Sequence, residues 1–91
     1  MMRGDDMADK MNIELDTVLA NELKDARTHK QLSQDEIANL VGISRQKYQR
    51  IESCMMNSVD DNLLRKLAEV LELDYFTLVN NRNVFRLTVK I

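Results

Sequence analysis

The sequence has no proline and no tryptophan, and it contains only one cysteine, two glycines, two tyrosines and two phenylalanines. A single cysteine, Cys54, cannot form a disulfide within the chain, and no cluster of cysteine and histidine has the spacing of a metal site. Because aromatic residues are scarce, the core must consist largely of Leu, Ile, Val and Met. Together with the abundance of good helix formers, this composition predicts a small helical bundle.

Long apolar runs are absent as well. No stretch approaches the roughly 18 apolar residues that a membrane-spanning helix needs. The first ten residues, MMRGDDMADK, are acidic and polar and lack the apolar centre of a secretion signal, so a reducing cytoplasm is the expected location. The single histidine, His29, lies in a polar segment without a nucleophile nearby. We therefore expect no enzymatic activity, no metal and no cofactor.

The chain has no overall basic excess, since its net charge is -2 and its pI is about 5.3. This balance argues against a nonspecific polyanion binder but allows a local basic patch. Residues 1–16 hold five acids against two bases, whereas residues 17–91 hold ten acids and eleven bases. The acid is thus concentrated in the N-terminal segment.

Helical patterns and capping residues occupy most of the chain. Apolar residues three and four apart predict a helix over Asp16–Thr28, with Asp16 or Thr17 as its cap. Asp60 or Asp61 begins a fourth helix and Asp74 a short fifth one. The segment 54–58 between the third and fourth helices is predicted to be a loop.

Two of the predicted helices nearly touch within residues 33–52. Ser33 and Glu36 form a capping box, in which each side chain accepts the other residue's backbone N–H. Gly42 ends this helix, because glycine readily adopts positive φ. Ser44 caps the next helix, whose exposed positions carry arginine, glutamine and lysine. Its inward side chains are expected to be Tyr48 and Ile51, followed by Met55.

The C-terminal tail has a different period. Its apolar residues alternate with Arg86, Thr88 and Lys90, which predicts a strand. These apolar residues are Phe85, Leu87, Val89 and Ile91. Only residues 11–15 alternate in the same way, so we expect an antiparallel pair of chain ends, within one chain or between two copies. Glu14 would then face Arg86 or Lys90.

The expected organisation is an acidic segment over 1–15, a helical domain over 16–80 and a C-terminal β-arm over 81–91. Three roles are open for the arm: support within one chain, a dimer interface, or an ordered tail. We favour the dimer interface, formed by Phe85, Leu87, Val89 and Ile91, because a symmetric partner would cover an otherwise unpaired strand edge.

The helical segments resemble the Cro/C1-type (Xre-like) helix-turn-helix family over about two thirds of the chain. The residues that carry the resemblance are LANELKDAR from Leu19, SQDEIANLVGIS from Ser33, YQRIE from Tyr48, LRKLA from Leu64 and LELDYFTL from Leu71. The resemblance implies a mainly α, five-helix lambda-repressor-like domain that binds double-stranded operator DNA, usually as a two-fold dimer.

The resemblance also implies roles for individual residues. Gln34 matches a position that anchors a DNA phosphate, and Arg27 and Glu52 match a pair that ties the first helix to the third. The base-reading positions of the helix 44–53 are Arg45, Gln46 and Gln49. Arginine can donate two hydrogen bonds to guanine O6 and N7, and glutamine can also form two with adenine, donating to N7 and accepting from N6. Ser44, Lys47 and Arg50 are better placed for phosphates, which supply affinity rather than sequence information.

Three residues depart from the family pattern. Cys54 stands where many members have glycine, Val59 replaces a familiar proline before the fourth helix, and Tyr48 is larger than the usual aliphatic residue.

The predicted function is a sequence-specific transcriptional regulator of phage, prophage or mobile-element type, acting as a dimeric repressor on a palindromic operator. The alternatives are an antitoxin that binds DNA and a toxin, or a protein-interaction module whose helix-turn-helix does not bind DNA.

Overall fold

The computed structural model describes the backbone of residues 7–80 and 82–90 and the side chains of residues 11–80 and 82–85. The fold is mainly helical, with a small antiparallel sheet. In chain order the elements are β1 (Met7–Glu14), α1 (Thr17–His29), α2 (Gln34–Val41), α3 (Arg45–Glu52), β2 (Ser58–Asp60), α4 (Asp61–Leu71), α5 (Tyr75–Val79) and β3 (Val84–Lys90).

The helices begin at the capping residues that the sequence predicted. Asp16 accepts the backbone N–H of Leu19 at 2.8 Å, and this hydrogen bond is the main reason that the pKa of Asp16 is lowered. Asp60 caps α4 and Asp74 caps α5 in the same manner. These carboxylates satisfy N–H groups that have no partner inside their helix.

The three strands lie in the order β2-β1-β3, and both pairings are antiparallel. The pairing of the chain ends is thus formed within one chain. Its register differs from the expectation, because Arg86 pairs with Met11 and Lys90 pairs with Met7. Glu14 instead accepts the backbone N–H of Asn83 at 3.2 Å. The prediction that Glu14 faces a basic residue of β3 was therefore wrong.

Strand β2 is an element that the sequence did not predict. Val59 pairs with Ile13 across β1 and β2, and both side chains are fully buried. The loop predicted over 54–58 was thus wrong at Ser58, where the strand begins. Valine suits this position better than the proline familiar in the family, because proline has no N–H to give to a sheet.

The core is apolar and joins the helices to the inner face of the sheet. Tyr48 is completely buried, whereas Met55 was expected to point inward and is 76% exposed. Met55 follows the end of α3, so the helical spacing that buries Ile51 no longer applies to it. The other fully buried large side chains are Ile13, Leu19, Leu23, Ile37, Ile51, Val59, Leu64, Leu67 and Leu78.

Arg82 joins the start of β3 to the helical body. Its guanidinium donates to the Asp16 carboxylate at 3.2 and 3.3 Å, and it also donates to the carbonyl of Leu78. The Arg82 side chain is almost fully buried. This contact fixes the orientation of β3 relative to α1.

Candidate nucleic-acid interface

The turn between α2 and α3 depends on Gly42. Its φ of 79° lies in the left-handed region, and its N–H donates to the carbonyl of Ala38 at 2.9 Å. The capping box at the other end of α2 is complete, since Glu36 N–H donates to Ser33 Oγ at 3.0 Å and Ser33 N–H to Glu36 Oε1 at 2.8 Å. Hydrogen bonds thus satisfy both ends of α2, and the left-handed turn at Gly42 sets the direction in which α3 begins.

Helix α3 has one buried and one exposed face. Tyr48, Ile51 and Glu52 are buried. At 100° per residue, Gln46 and Arg50 lie at the centre of the opposite face. They form one exposed ridge along the helix.

Five residues of α3 were predicted to contact the bases or phosphates of DNA, and all five are exposed. Among the described residues, none of the three cations lies within ion-pair distance of a carboxylate. These residues are Arg45, Gln46, Lys47, Gln49 and Arg50. The arrangement presents unpaired hydrogen-bond donors and positive charge to an external ligand.

Ser44 and Gln34 lie at the N-terminal ends of the two helices. Ser44 Oγ accepts the N–H of Lys47 at 3.1 Å, so its hydroxyl hydrogen is still available to another acceptor. Gln34 Nε2 donates to Glu52 Oε1 at 3.1 Å, which uses one of its two amide hydrogens. Both positions combine a polar side chain with the positive end of a helix dipole.

The structure brings Arg27 and Glu52 together. Arg27 Nε donates to Glu52 Oε2 at 2.6 Å and Nη2 to Oε1 at 3.1 Å, while Nη1 donates to the carbonyl of Leu32 at 2.7 Å. Burial alone would raise the pKa of Glu52, but hydrogen bonds led by that from Arg27 outweigh it, and the pKa is lowered. With Gln34, this network joins α1, α2 and α3 at one carboxylate.

The hydroxyl of Tyr48 lies beside this network. Its oxygen is buried and has no hydrogen-bond partner among the described residues. Burial is the main reason that the pKa of Tyr48 is raised, and the nearby Glu52 carboxylate raises it further. The phenol is therefore neutral.

Cys54 adopts the backbone conformation that explains the family preference for glycine. Its φ is 55°, in the left-handed region. Cys54 Sγ lies 3.7 Å from the carbonyl oxygen of Leu15. The loop after α3 therefore keeps the left-handed turn although a side chain is present.

A groove of about 600 Å³ borders α3 on the side of Lys47. Asn12 of β1, Asn62 and Lys66 of α4, and Asp60 line its polar walls. Its apolar floor contains Val41, Ile43 and Leu63.

Sequence reasoning missed Lys66 as a candidate site residue. The available signal was its spacing four residues after Asn62, which puts both on one ridge of α4.

Three of the four residues assigned to dimerisation, Phe85, Leu87 and Val89, lie on strand β3, which is an edge of the sheet within the described residues. Phe85 is 45% exposed and pairs with Asn12 of β1. The backbone of Leu87 pairs with Lys10 and that of Val89 with Ala8. The side chains of Leu87 and Val89, and all of Ile91, lie outside the described residues.

The described residues offer no metal-binding group of histidine, cysteine and carboxylates. None of the helices in this part of the chain is long and apolar enough to span a membrane.

The two short helices, the glycine turn and the exposed donors of α3 define a helix-turn-helix protein. A family model described as "Helix-turn-helix" matches residues 23–78. The chain therefore belongs to the Cro/C1-type helix-turn-helix family of DNA-binding transcription regulators.

Solved structures of bacterial regulators are similar to this chain. The N-terminal DNA-binding domain of SinR from Bacillus subtilis is 23% identical with a TM-score of 0.66, over 72% of this chain and 96% of that one. A hypothetical transcription factor, NHTF, from Neisseria is 28% identical with a TM-score of 0.65, over 71% of this chain and 72% of that one.

SinR, a master regulator for biofilm formation, has also been solved in complex with DNA; that chain is 24% identical with a TM-score of 0.63, over 68% of this chain and 98% of that one. In the SinR–SinI complex, the matched chain is 24% identical with a TM-score of 0.64, over 69% of this chain and 61% of that one. The chain thus spans less than two thirds of the matched chain of that complex. None of the curated proteins compared with the chain matches it significantly.

Proposed function

We propose that this protein is a sequence-specific regulator that reads operator DNA through α3, as a dimeric repressor on a palindromic site in the cytoplasm. The observation that carries the proposal is the exposed face of α3, where three cations have no described carboxylate partner. In a net acidic chain, such a face is suited to a polyanion at this one place.

The roles proposed within α3 are those that the family resemblance implies, and the exposure of all five side chains supports them. Arg45 supplies two donors, and Gln46 and Gln49 each supply a donor and an acceptor, for bidentate contacts to base edges in the major groove, each good pair giving roughly 1–3 kcal/mol of discrimination. Lys47 and Arg50, with Ser44 and Gln34 at the helix ends, contact phosphates and set the register on the duplex. The solved complex of SinR with DNA supports DNA as the ligand of this fold.

The dimer rests on strand β3. Within the described residues β3 is an edge of the sheet, and its Phe85 is only partly covered. Two copies joined along β3 would present two α3 helices to successive major grooves, about 34–36 Å apart on the duplex. Binding at a promoter would then repress transcription by blocking access.

The same edge favours a second candidate, an antitoxin or other regulator that binds a protein partner through β3. An unpaired strand edge accepts another chain by adding a strand. SinR has been solved with the protein SinI, so this fold can occur in a protein complex. Co-purification of a distinct polypeptide that dissociates on Phe85→Lys would favour this role over the homodimer.

The DNA proposal is tested by selecting from a genomic fragment library at ~100 mM salt, because specificity is meaningful only at a stated ionic strength. We expect one enriched, roughly palindromic site. Arg45→Ala and Gln46→Ala should abolish the preference while retaining weak general binding. Lys24→Ala, an exposed change on α1, is the control. Absence of enrichment at every salt concentration would overturn the proposal.

A further inference from the structure

The groove beside α3 is lined by residues of five elements, β1, α2, α3, β2 and α4. Lys47 comes from α3, Asn62 and Lys66 from α4, and Asn12 from β1. Asn12 lies outside the segment that matches the helix-turn-helix model, so part of this groove is added by the sheet. The opening borders the helix that presents donors to DNA.

The charges of the groove favour an anion. Lys47 and Lys66 line it together, and neither has a carboxylate within ion-pair distance among the described residues. The one acid of the groove, Asp60, accepts the N–H of Leu63 at 3.1 Å with one carboxylate oxygen as the cap of α4, and the two lysines exceed its single negative charge. The two asparagine amides add neutral donors.

We propose, as an extension of the proposed function, that this groove holds a phosphodiester of the DNA backbone and that Lys66 is an additional phosphate contact. The bound strand would run past the Lys47 side of α3 while the bases are read on the Gln46 side. Lys66 supplies charge, and Asn62 and Asn12 orient the phosphate oxygens. Such a contact strengthens binding to every sequence equally.

The test compares Lys66→Ala with Lys24→Ala on the fragment that the wild-type protein enriches. Each lost phosphate contact lowers the salt slope by about 1. Between about 50 and about 200 mM salt, the fall in affinity should therefore be about threefold smaller for Lys66→Ala than for the wild-type protein. The preferred sequence should not change. An unaltered slope for Lys66→Ala would overturn the inference and leave the proposed function intact.

A methylphosphonate scan identifies the phosphate itself. Replacing single phosphates of the fragment by neutral methylphosphonates should weaken wild-type binding at several positions. At one of them the effect should vanish in Lys66→Ala and persist in Lys24→Ala. If every position weakens both variants equally, Lys66 touches no phosphate. If the wild-type protein enriches no fragment, the proposed function fails first, which is a distinct outcome.

Discussion

At the scale of single residues, the buried carboxylate of Glu52 joins α3 to α1 and α2 on the side opposite the exposed face of α3. Its side chain is 3% exposed and accepts hydrogen bonds from Arg27 and Gln34. Such a pair is expensive to break, because the remaining charge is left buried without a partner. The sequence motif indicated Arg27 and Glu52, but it gave no sign that Gln34 would share the same carboxylate.

Glu52→Gln should destabilise the fold by about 2–3 kcal/mol at neutral pH, because Arg27 loses its counter-charge. The folded pKa of Glu52 is lowered from its ordinary value of 4.5, so its contribution is fully present above 4.5 and is lost as the pH falls through the folded pKa. Urea unfolding from about pH 7 to about pH 3 should show the difference from wild type shrinking.

The matched control for this pH series is Glu69→Gln, which removes an exposed acid of α4. Its effect should be small and nearly constant with pH. A Glu52→Gln difference that is equally large at the acidic end would mean that packing of the side chain, and not its charge, stabilises the fold.

Tyr48→Phe should leave stability unchanged or raise it by about 1 kcal/mol, because it removes a buried hydroxyl without a described partner. Tyr75→Phe is the matched comparison, since the Tyr75 hydroxyl donates to Asp61 and its removal should cost about 1 kcal/mol. Thermal unfolding measures both. Loss of more than about 1 kcal/mol in Tyr48→Phe would show that its hydroxyl is paired with Glu52.

At the scale of elements, local signals predicted the helices well and the sheet incompletely. Each helix start carried a side chain that satisfies free N–H groups, so Asp16, Ser33, Ser44 and Asp74 could be identified without the fold. Strand β2 has only three residues, so its single polar-apolar-polar alternation around Val59 is too short to indicate a period. The register of β1 against β3 had no turn signal to indicate it, because the two strands lie at opposite ends of the sequence.

Gly42→Ala should destabilise the protein by about 1–2 kcal/mol, because the left-handed backbone conformation of the turn is unfavourable for alanine. The φ is 79°, and an added Cβ would meet no atom within 4 Å, so the effect is conformational and not steric. Denaturant unfolding measures the change.

The reverse substitution supplies the control. Gln31 is exposed with a φ of 60°, and Gln31→Gly should therefore stabilise by about 1 kcal/mol. If both substitutions shifted stability in the same direction, backbone conformation would not be the cause.

At the scale of the whole molecule, the charge distribution favours sequence-specific binding of DNA over nonspecific attraction to it. The net charge is negative, while the exposed cations of α3 and the Lys66 groove lie on neighbouring surfaces. Nonspecific affinity for DNA depends on the number of phosphates neutralised. A few local cations in an acidic chain therefore favour binding that depends on base contacts, and sequence composition alone had indicated only that such a patch was allowed.

The proposed dimerisation through β3 concerns the whole molecule, and substitutions of two exposed phenylalanines can test it. Phe85 lies on β3 and is 45% exposed, whereas Phe76 lies on α5 and is 71% exposed. Phe85→Lys should weaken the dimer at least tenfold, about 1.4 kcal/mol, because a charge would enter the apolar interface. Phe76→Lys should leave it unchanged. Light scattering across a concentration series measures both, and dissociation by Phe76→Lys alone would move the interface to α5.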